Sequence, residues 1–165
     1  MNDTAANVSV LFVCSDNTGR SLMAEYLLKD WLQKNARNDI VVSSCGTNAN
    51  SDVSSFCMDH ISKLKEMGID TTQHIRTQLT EEVFAKHDVV IAMDETHQDF
   101  VKENYLTDIP LYNELYKNEK TSIRITPPGA TGPLSDRLLL TVEYIHESIP
   151  ALVAAIDRIT NDANR

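Results

Sequence analysis

The stretch "VSVLFVCSDNTGRSLMAEYLL" (8–28) constrains the fold more than any other part of the chain. Val8 to Val13 form a β-rich apolar run without alternation, the pattern of a strand buried on both faces. A polar turn follows, and then Leu22, Met23, Tyr26, Leu27, Trp31 and Leu32 recur at helical spacing over 21–33. A doubly buried strand that feeds a helix calls for a parallel sheet with helices on both of its faces.

Further along, the same alternation recurs. "IVVSS" (40–44) reads as a second strand, and 54–68 reads as a helix with Phe56, Cys57, Ile61, Leu64 and Met67 as its core stripe and Gly68 as its stop. A short helix over 78–87 is capped by Thr80, 88–93 is a third strand, and 94–105 is another helix. "IPLYNEL" (109–115) fits a short fourth strand at an edge, and the Pro- and Gly-rich 117–135 fits a long surface loop. A long apolar helix over 136–160 closes the chain, with Pro150 marking a kink or break. The expectation is a single α/β domain over residues 1–165.

Fifteen basic against 24 acidic residues leave a net charge of −9, which opposes nucleic-acid and anionic-membrane partners, since both need a positive field. No continuous apolar run approaches the roughly 18 residues of a membrane span. The first residues, "MNDTAANVS", carry no lysine or arginine and read as neither leader nor transit segment, so the expected location is cytoplasmic. Cys14, Cys45 and Cys57 follow no zinc spacing, and no metal or other cofactor is expected.

Chemistry concentrates at the first turn. In open parallel sheets, ligands bind beyond the carboxyl ends of the strands, and Cys14 sits at such an end. The backbone amides of Ser15, Asp16, Asn17, Thr18 and Gly19, with the helix start behind them, make a concave anion site. A thiolate at its centre is stabilised by the same dipoles and by Arg20, whose planar fork suits two oxygens of a bound phosphoryl group. A low-lying thiolate beneath a bound oxyanion is equipped for nucleophilic phosphoryl transfer.

The loop, Cys14, five residues, Arg20 and Ser21, resembles the signature of the low-molecular-weight protein tyrosine phosphatases. "SLMAEYLL", "SSCGT" (43–47), "GIDTTQHIRTQLTEE" (68–82) and "DVVIAMDETH" (88–97) resemble the family's further segments in the right order. The resemblance implies a flavodoxin-like sandwich with four parallel strands and hydrolysis of phosphomonoesters, phosphotyrosine on protein or an aryl phosphate, through a phosphocysteine intermediate. Inorganic phosphate would be the product. It implies Cys14 as nucleophile, Arg20 as phosphate clamp, Asn17 as the residue shaping the loop, and Ser21 as hydrogen-bond partner of the thiolate. Ser44 and His74 become a supporting network.

Three departures matter. The family's Asp-Pro, source of the general acid, is replaced by Pro127 and Pro128, so that Asp136 or Asp16 protonates the leaving group or the enzyme is slow and limited to good leaving groups. The loop's usual second cysteine is Gly19. Asn50, Gly129 and Ala130 stand where aromatic wall residues are common, with Tyr112 and Tyr116 as possible substitutes. Two alternatives accompany these departures: a phosphate- or phosphoprotein-binding module without catalysis, and a thioredoxin-coupled arsenate reductase that would need Cys45 and Cys57 in relay. Both of those cysteines read as small core residues.

Overall fold

A computed structural model describes residues 7–163; the N-terminal six residues, on which part of the leader reading rests, and the last two lie outside it. Three parallel strands, β1 (Val8–Cys14), β2 (Ile40–Gly46) and β3 (Val89–Ala92), lie in the order β2-β1-β3. The register pairs Val13 with Cys45 and with Ala92, and Cys14 with Gly46.

Strand alternation divides the core. Val10, Phe12 and Cys14 join one apolar cluster with α1 (Arg20–Lys34), α2 (Asp59–Glu66) and α6 (Leu134–Ala163). Leu11, Val13 and Cys45 face the other side, where α3 (Glu81–Ala85) and α4 (Glu95–Tyr105) contribute Val83, Phe84, Val101 and Tyr105. Both faces are covered from Val10 to Cys14, so that stretch of β1 needs apolar side chains at every position, as its sequence provides; Ser9, before it, is only partly buried.

Several expectations change. The fourth strand is reduced to a single parallel bridge, Ala92 to Leu111, after which the chain turns into α5 (Tyr112–Lys117). Pro110 has no N–H to donate, and the Leu111 N–H is taken by Glu114 Oε1 at 3.2 Å, so no ladder can propagate. The second helix begins at Asp59, five residues later than its periodicity suggests, and Phe56 is 43% exposed instead of lying in the core. Ser54 and Ser55 sit in a turn there, consistent with their preference for local backbone bonding. Residues 118–133 are not simply a surface loop, because Ile123 is buried and its N–H donates to Met93 O at 2.8 Å.

Pro150 does not break α6. Its ring and His146, whose carbonyl loses its helical donor, are both exposed, so water can replace the missing bond. α6 is long and apolar enough to cross a membrane, yet it buries Leu138, Val142, Ile145, Ile149, Leu152 and Ile156 in this core. Other signals hold as read: the Thr80 hydroxyl accepts the Val83 N–H, and Gly68 ends α2 at φ +83.

Candidate active site

Cys14 closes β1 and is only 3% exposed. The chain then reverses over it through Asn17, whose φ of 56 lies in the left-handed region that asparagine tolerates. The loop packs so closely on the end of β2 that a Cβ on Gly46 would stand 2.4 Å from Ser15 O. Glycine is therefore required at that position.

What shapes the loop is the fate of its carbonyls. Cys14 O accepts from Thr47 N at 2.9 Å and Ser15 O from Asn48 N at 2.8 Å. Asp16 O accepts from Arg76 Nε at 2.9 Å, Asn17 O from His74 Nε2 at 2.8 Å, and Thr18 O from His60 Nε2 at 2.6 Å. Gly19 O accepts the first-turn N–H of Met23 at 2.9 Å. Six consecutive carbonyls are thus engaged away from the loop's centre. The N–H groups of Asp16, Asn17, Thr18 and Gly19 have no acceptor among the described residues, which leaves a ring of donors for an anion.

A second network runs beneath. Asn17 is fully buried; its Oδ1 accepts the Thr77 N–H at 2.9 Å, and its Nδ2 donates to Ser21 Oγ at 2.8 Å and Ser44 Oγ at 2.9 Å. Ser44 donates onward to Glu25 Oε1 at 2.5 Å. Ser21 Oγ lies 2.8 Å from Cys14 Sγ.

Arg20 opens α1 and donates Nη1 to Ile123 O at 2.8 Å, with Asp94 Oδ2 at 3.4 Å. Asp94 also accepts Arg124 Nε at 2.8 Å and caps α4 through the Thr96 N–H at 2.9 Å. Burial would raise the Asp94 carboxyl, but these donors and the two guanidinium charges hold it below the usual carboxylate range. His97 is neutral: burial, then the Arg20 charge, push its pKa down to about 3. Its Nδ1 accepts the Asp94 N–H at 3.1 Å, so Nε2 carries the proton and donates to Ser15 Oγ at 3.0 Å. Burial also lowers the pKa of His60, whose Nε2–H is the donor to Thr18.

Above the loop lies a cavity of about 310 Å³, lined by Cys14, Asp16, Thr18 and Arg20 on the polar side and by Phe56, Ile125, Leu134 and Leu138 on the apolar side. Asp16 is the one carboxylate lining it among the described residues, and Ser51 Oγ donates to its Oδ1 at 2.6 Å. Asp136 does not join the lining. It is exposed in the first turn of α6, two positions from Leu134 and from Leu138, and residues two apart do not share a helix face. Tyr112 is fully buried with its hydroxyl on Ser148 at 2.5 Å, and Tyr116 packs edge-on to Tyr144, so neither replaces the aromatic wall. Phe56 does so instead.

Cys57 is partly buried against the core cluster, as its reading expected, and also lines this cavity. Cys45 is a core residue, on the opposite face of the sheet from Cys14, and burial pushes its thiol well up from the ordinary range. A relay from Cys14 through Cys45 would have to cross the sheet. The sequence reading missed Phe56, His60, Arg76, Asp94 and His97. Arg76, two residues from His74, and Asp94 and His97, in the 88–97 segment, lie in stretches already singled out, and that placement was the signal that could have found them.

A buried thiol beneath a loop whose amides have no acceptor among the described residues, at the carboxyl end of a parallel strand, defines an α/β protein with a cysteine-centred loop shaped to take an anion. Residues 9–161 match the family described as low molecular weight phosphotyrosine protein phosphatase, and the chain belongs to that family. It is 35% identical over 94 residues to a low molecular weight phosphotyrosine protein phosphatase of Schizosaccharomyces pombe, covering 55% of this chain and 59% of that one. It is 31% identical over 98 residues to a protein-arginine-phosphatase of Bacillus subtilis, covering 59% and 63%. These alignments span about three fifths of the relatives' own length. The fold matches the crystal structure of a low molecular weight protein tyrosine phosphatase from T. tengcongensis with a TM-score of 0.72 and 28% identity, over 90% of this chain and 99% of that one.

Proposed function

We propose that this protein hydrolyses phosphomonoesters, on a phosphorylated protein or an aryl phosphate, through a phosphocysteine intermediate. The observation that carries the reading is the outward engagement of all six carbonyls from Cys14 to Gly19, which frees the amides for three phosphoryl oxygens. Cys14 Sγ attacks phosphorus, the ester P–O bond breaks opposite it, and Arg20 and the amides hold the charge. Water then attacks the phosphocysteine, releasing inorganic phosphate and returning the sulfur as a thiolate that Ser21 stabilises. Asp16 is the carboxylate in position to protonate the leaving oxygen and later to take a proton from water. The strand order β2-β1-β3, with the site at the carboxyl end of β1, supports a flavodoxin-like reading of the sandwich. A cytoplasmic setting suits a nucleophilic thiol, which a reducing compartment keeps free.

The test is turnover of p-nitrophenyl phosphate by the wild type and by Cys14→Ser, with intact-mass detection of the phosphoenzyme. Turnover abolished by the substitution supports the reading; equal rates remove Cys14 from the mechanism, and no turnover by either protein, with phosphate still bound, leaves a binding module.

A second reading is phosphoarginine hydrolysis. The supporting observation is the single cavity carboxylate, already bonded to Ser51, together with the similarity to the protein-arginine-phosphatase. A phosphorylated guanidinium carries its own proton, so its departure depends less on an external acid than that of a phenolate. Phosphoarginine turnover that persists in Asp16→Asn while phenyl phosphate turnover is lost would favour it.

A further inference from the structure

A second and larger cavity, of about 760 Å³, lies beside the catalytic one. The two share Ile125: that residue lines both, Thr126 lines the catalytic side, and Pro127 and Pro128 line the other. The segment that separates them also supplies Ile123 O to Arg20. The larger cavity is therefore adjacent to the site, across the 125–128 segment, and within reach of whatever chain carries a phosphorylated side chain into it.

Its chemistry is unlike the rest of the surface. On a chain with a net charge of −9, its lining holds four cations, Lys117, Lys120, Arg124 and Arg137, against the carboxylates of Glu95 and Glu119. Lys117 pairs with Glu119 at 3.3 Å, and Arg124 shares Asp94 with Arg20. Lys120 and Arg137 form no ion pair among the described residues. Arg137 donates to Gly132 O at 2.5 Å and more distantly to Thr126 Oγ1, while its Nε is buried without a partner. The floor is apolar: Leu140 is 62% exposed there, next to the Tyr144 ring. The volume falls within the roughly 300–1,000 Å³ of ordinary ligand sites.

We infer that this cavity is a docking subsite for the acidic segment flanking the phosphorylated residue of a protein substrate, with carboxylates on Lys120 and Arg137 and an apolar side chain on Leu140. The inference rests on the phosphatase reading above and deepens it. Over most of this acidic molecule, carboxylate-rich peptides are repelled; the cationic cavity reverses that at one place and so selects for them.

The test compares kcat and KM for phosphotyrosyl peptides with Asp/Glu flanks, Ala flanks and Lys flanks, and for p-nitrophenyl phosphate, in the wild type, Lys120→Glu and Leu140→Asp. In the wild type, the acidic peptide should show a KM about tenfold below that of the Ala-flanked one, a gap that shrinks with added salt. Lys120→Glu should raise the acidic peptide's KM about tenfold and lower that of the Lys-flanked peptide, a reversal that loss of packing cannot produce. Leu140→Asp should weaken the acidic peptide in the same way, and p-nitrophenyl phosphate should be unaffected by either change. Equal KM values for the three peptides, or losses as large for p-nitrophenyl phosphate as for peptide, overturn the inference. Should neither phosphate ester be hydrolysed, the phosphatase reading fails by itself. Calorimetric titration with an unphosphorylated Asp/Glu-rich peptide, in saturating phosphate, then decides the docking site: binding lost in Lys120→Glu upholds it, and no binding overturns it.

Discussion

Asn17 and Ser21 are joined by a hydrogen bond of 2.8 Å in which the amide donates, and this fixes the direction of every proton beneath the loop. Asn17 Oδ1 is occupied by the Thr77 N–H, so Nδ2 must face the two serines. Ser44 spends its proton on Glu25, and Ser21, having accepted from Asn17, keeps its own for Cys14 Sγ at 2.8 Å. The chain of donors ends on sulfur, where a donated hydrogen bond stabilises a departing thiolate. Ser21→Ala should therefore slow the breakdown of the phosphocysteine, in which sulfur departs as a thiolate, more than its formation. A hydrogen bond to a charged group is worth about 1.5–3 kcal/mol, or roughly 10- to 150-fold in rate. Rapid-quench kinetics with p-nitrophenyl phosphate should show a burst of nitrophenolate followed by a slower steady state. An unchanged ratio of the two phases refutes the assignment.

Asn17 itself carries two separable contributions. Asn17→Gly keeps the left-handed backbone but removes the donors to Ser21 and Ser44 and the acceptor for Thr77, at a cost of about 2–4 kcal/mol. Asn17→Ala loses the same bonds and adds about 1 kcal/mol of strain at positive φ. Urea unfolding should rank wild type above the glycine variant, and that above the alanine variant. Equal stability of the two variants would show that backbone strain contributes nothing at this turn.

Much of this frame can be read from the sequence, and the limits have physical causes. β1, α1 and β3 are legible because burial on two faces or one leaves an apolar pattern of the right period, and Cys14, Arg20 and Ser21 follow one another within a single turn. The fourth strand is misread because Tyr112 and Leu111 are as apolar as strand residues, while the feature that stops the ladder is a side-chain bond from Glu114. Phe56 fits a helical stripe but lies before the helix begins, so the period misplaces it from cavity to core. His60, Arg76 and His97 support the loop from 42 to 82 residues away, and the spacing of residues around the loop does not record such long-range contacts.

His97 gives the protein a titration of its own. In the unfolded chain its imidazole takes up a proton near 6.5, and in the folded protein only at about 3. Between these values the unfolded state holds the extra proton, so stability falls as pH drops through the window, by up to about 1.4 kcal/mol per pH unit from this group. Above pH 6.5 the contribution is constant. His97→Gln should flatten the dependence of unfolding free energy on pH between 4.5 and 6.5, whatever it does to stability at pH 7. Parallel curves for the two proteins would mean that His97 is charged in the folded state.

The general acid separates Asp16 from Asp136 by leaving group. A phenolate, whose conjugate acid has a pKa of about 10, departs poorly without a proton, whereas a nitrophenolate needs one far less. Asp16 lines the cavity, and an asparagine in its place still offers an oxygen to Ser51, so the loop's anchoring should survive Asp16→Asn. That variant should lose about 10²–10⁴ in kcat/KM on phenyl phosphate and much less on p-nitrophenyl phosphate. Asp136→Asn should leave both rates unchanged, because its carboxylate is exposed on the face of α6 turned from the cavity. A selective loss on phenyl phosphate in Asp136→Asn, with Asp16→Asn unaffected, would reverse the assignment and require the start of α6 to swing over the site during turnover.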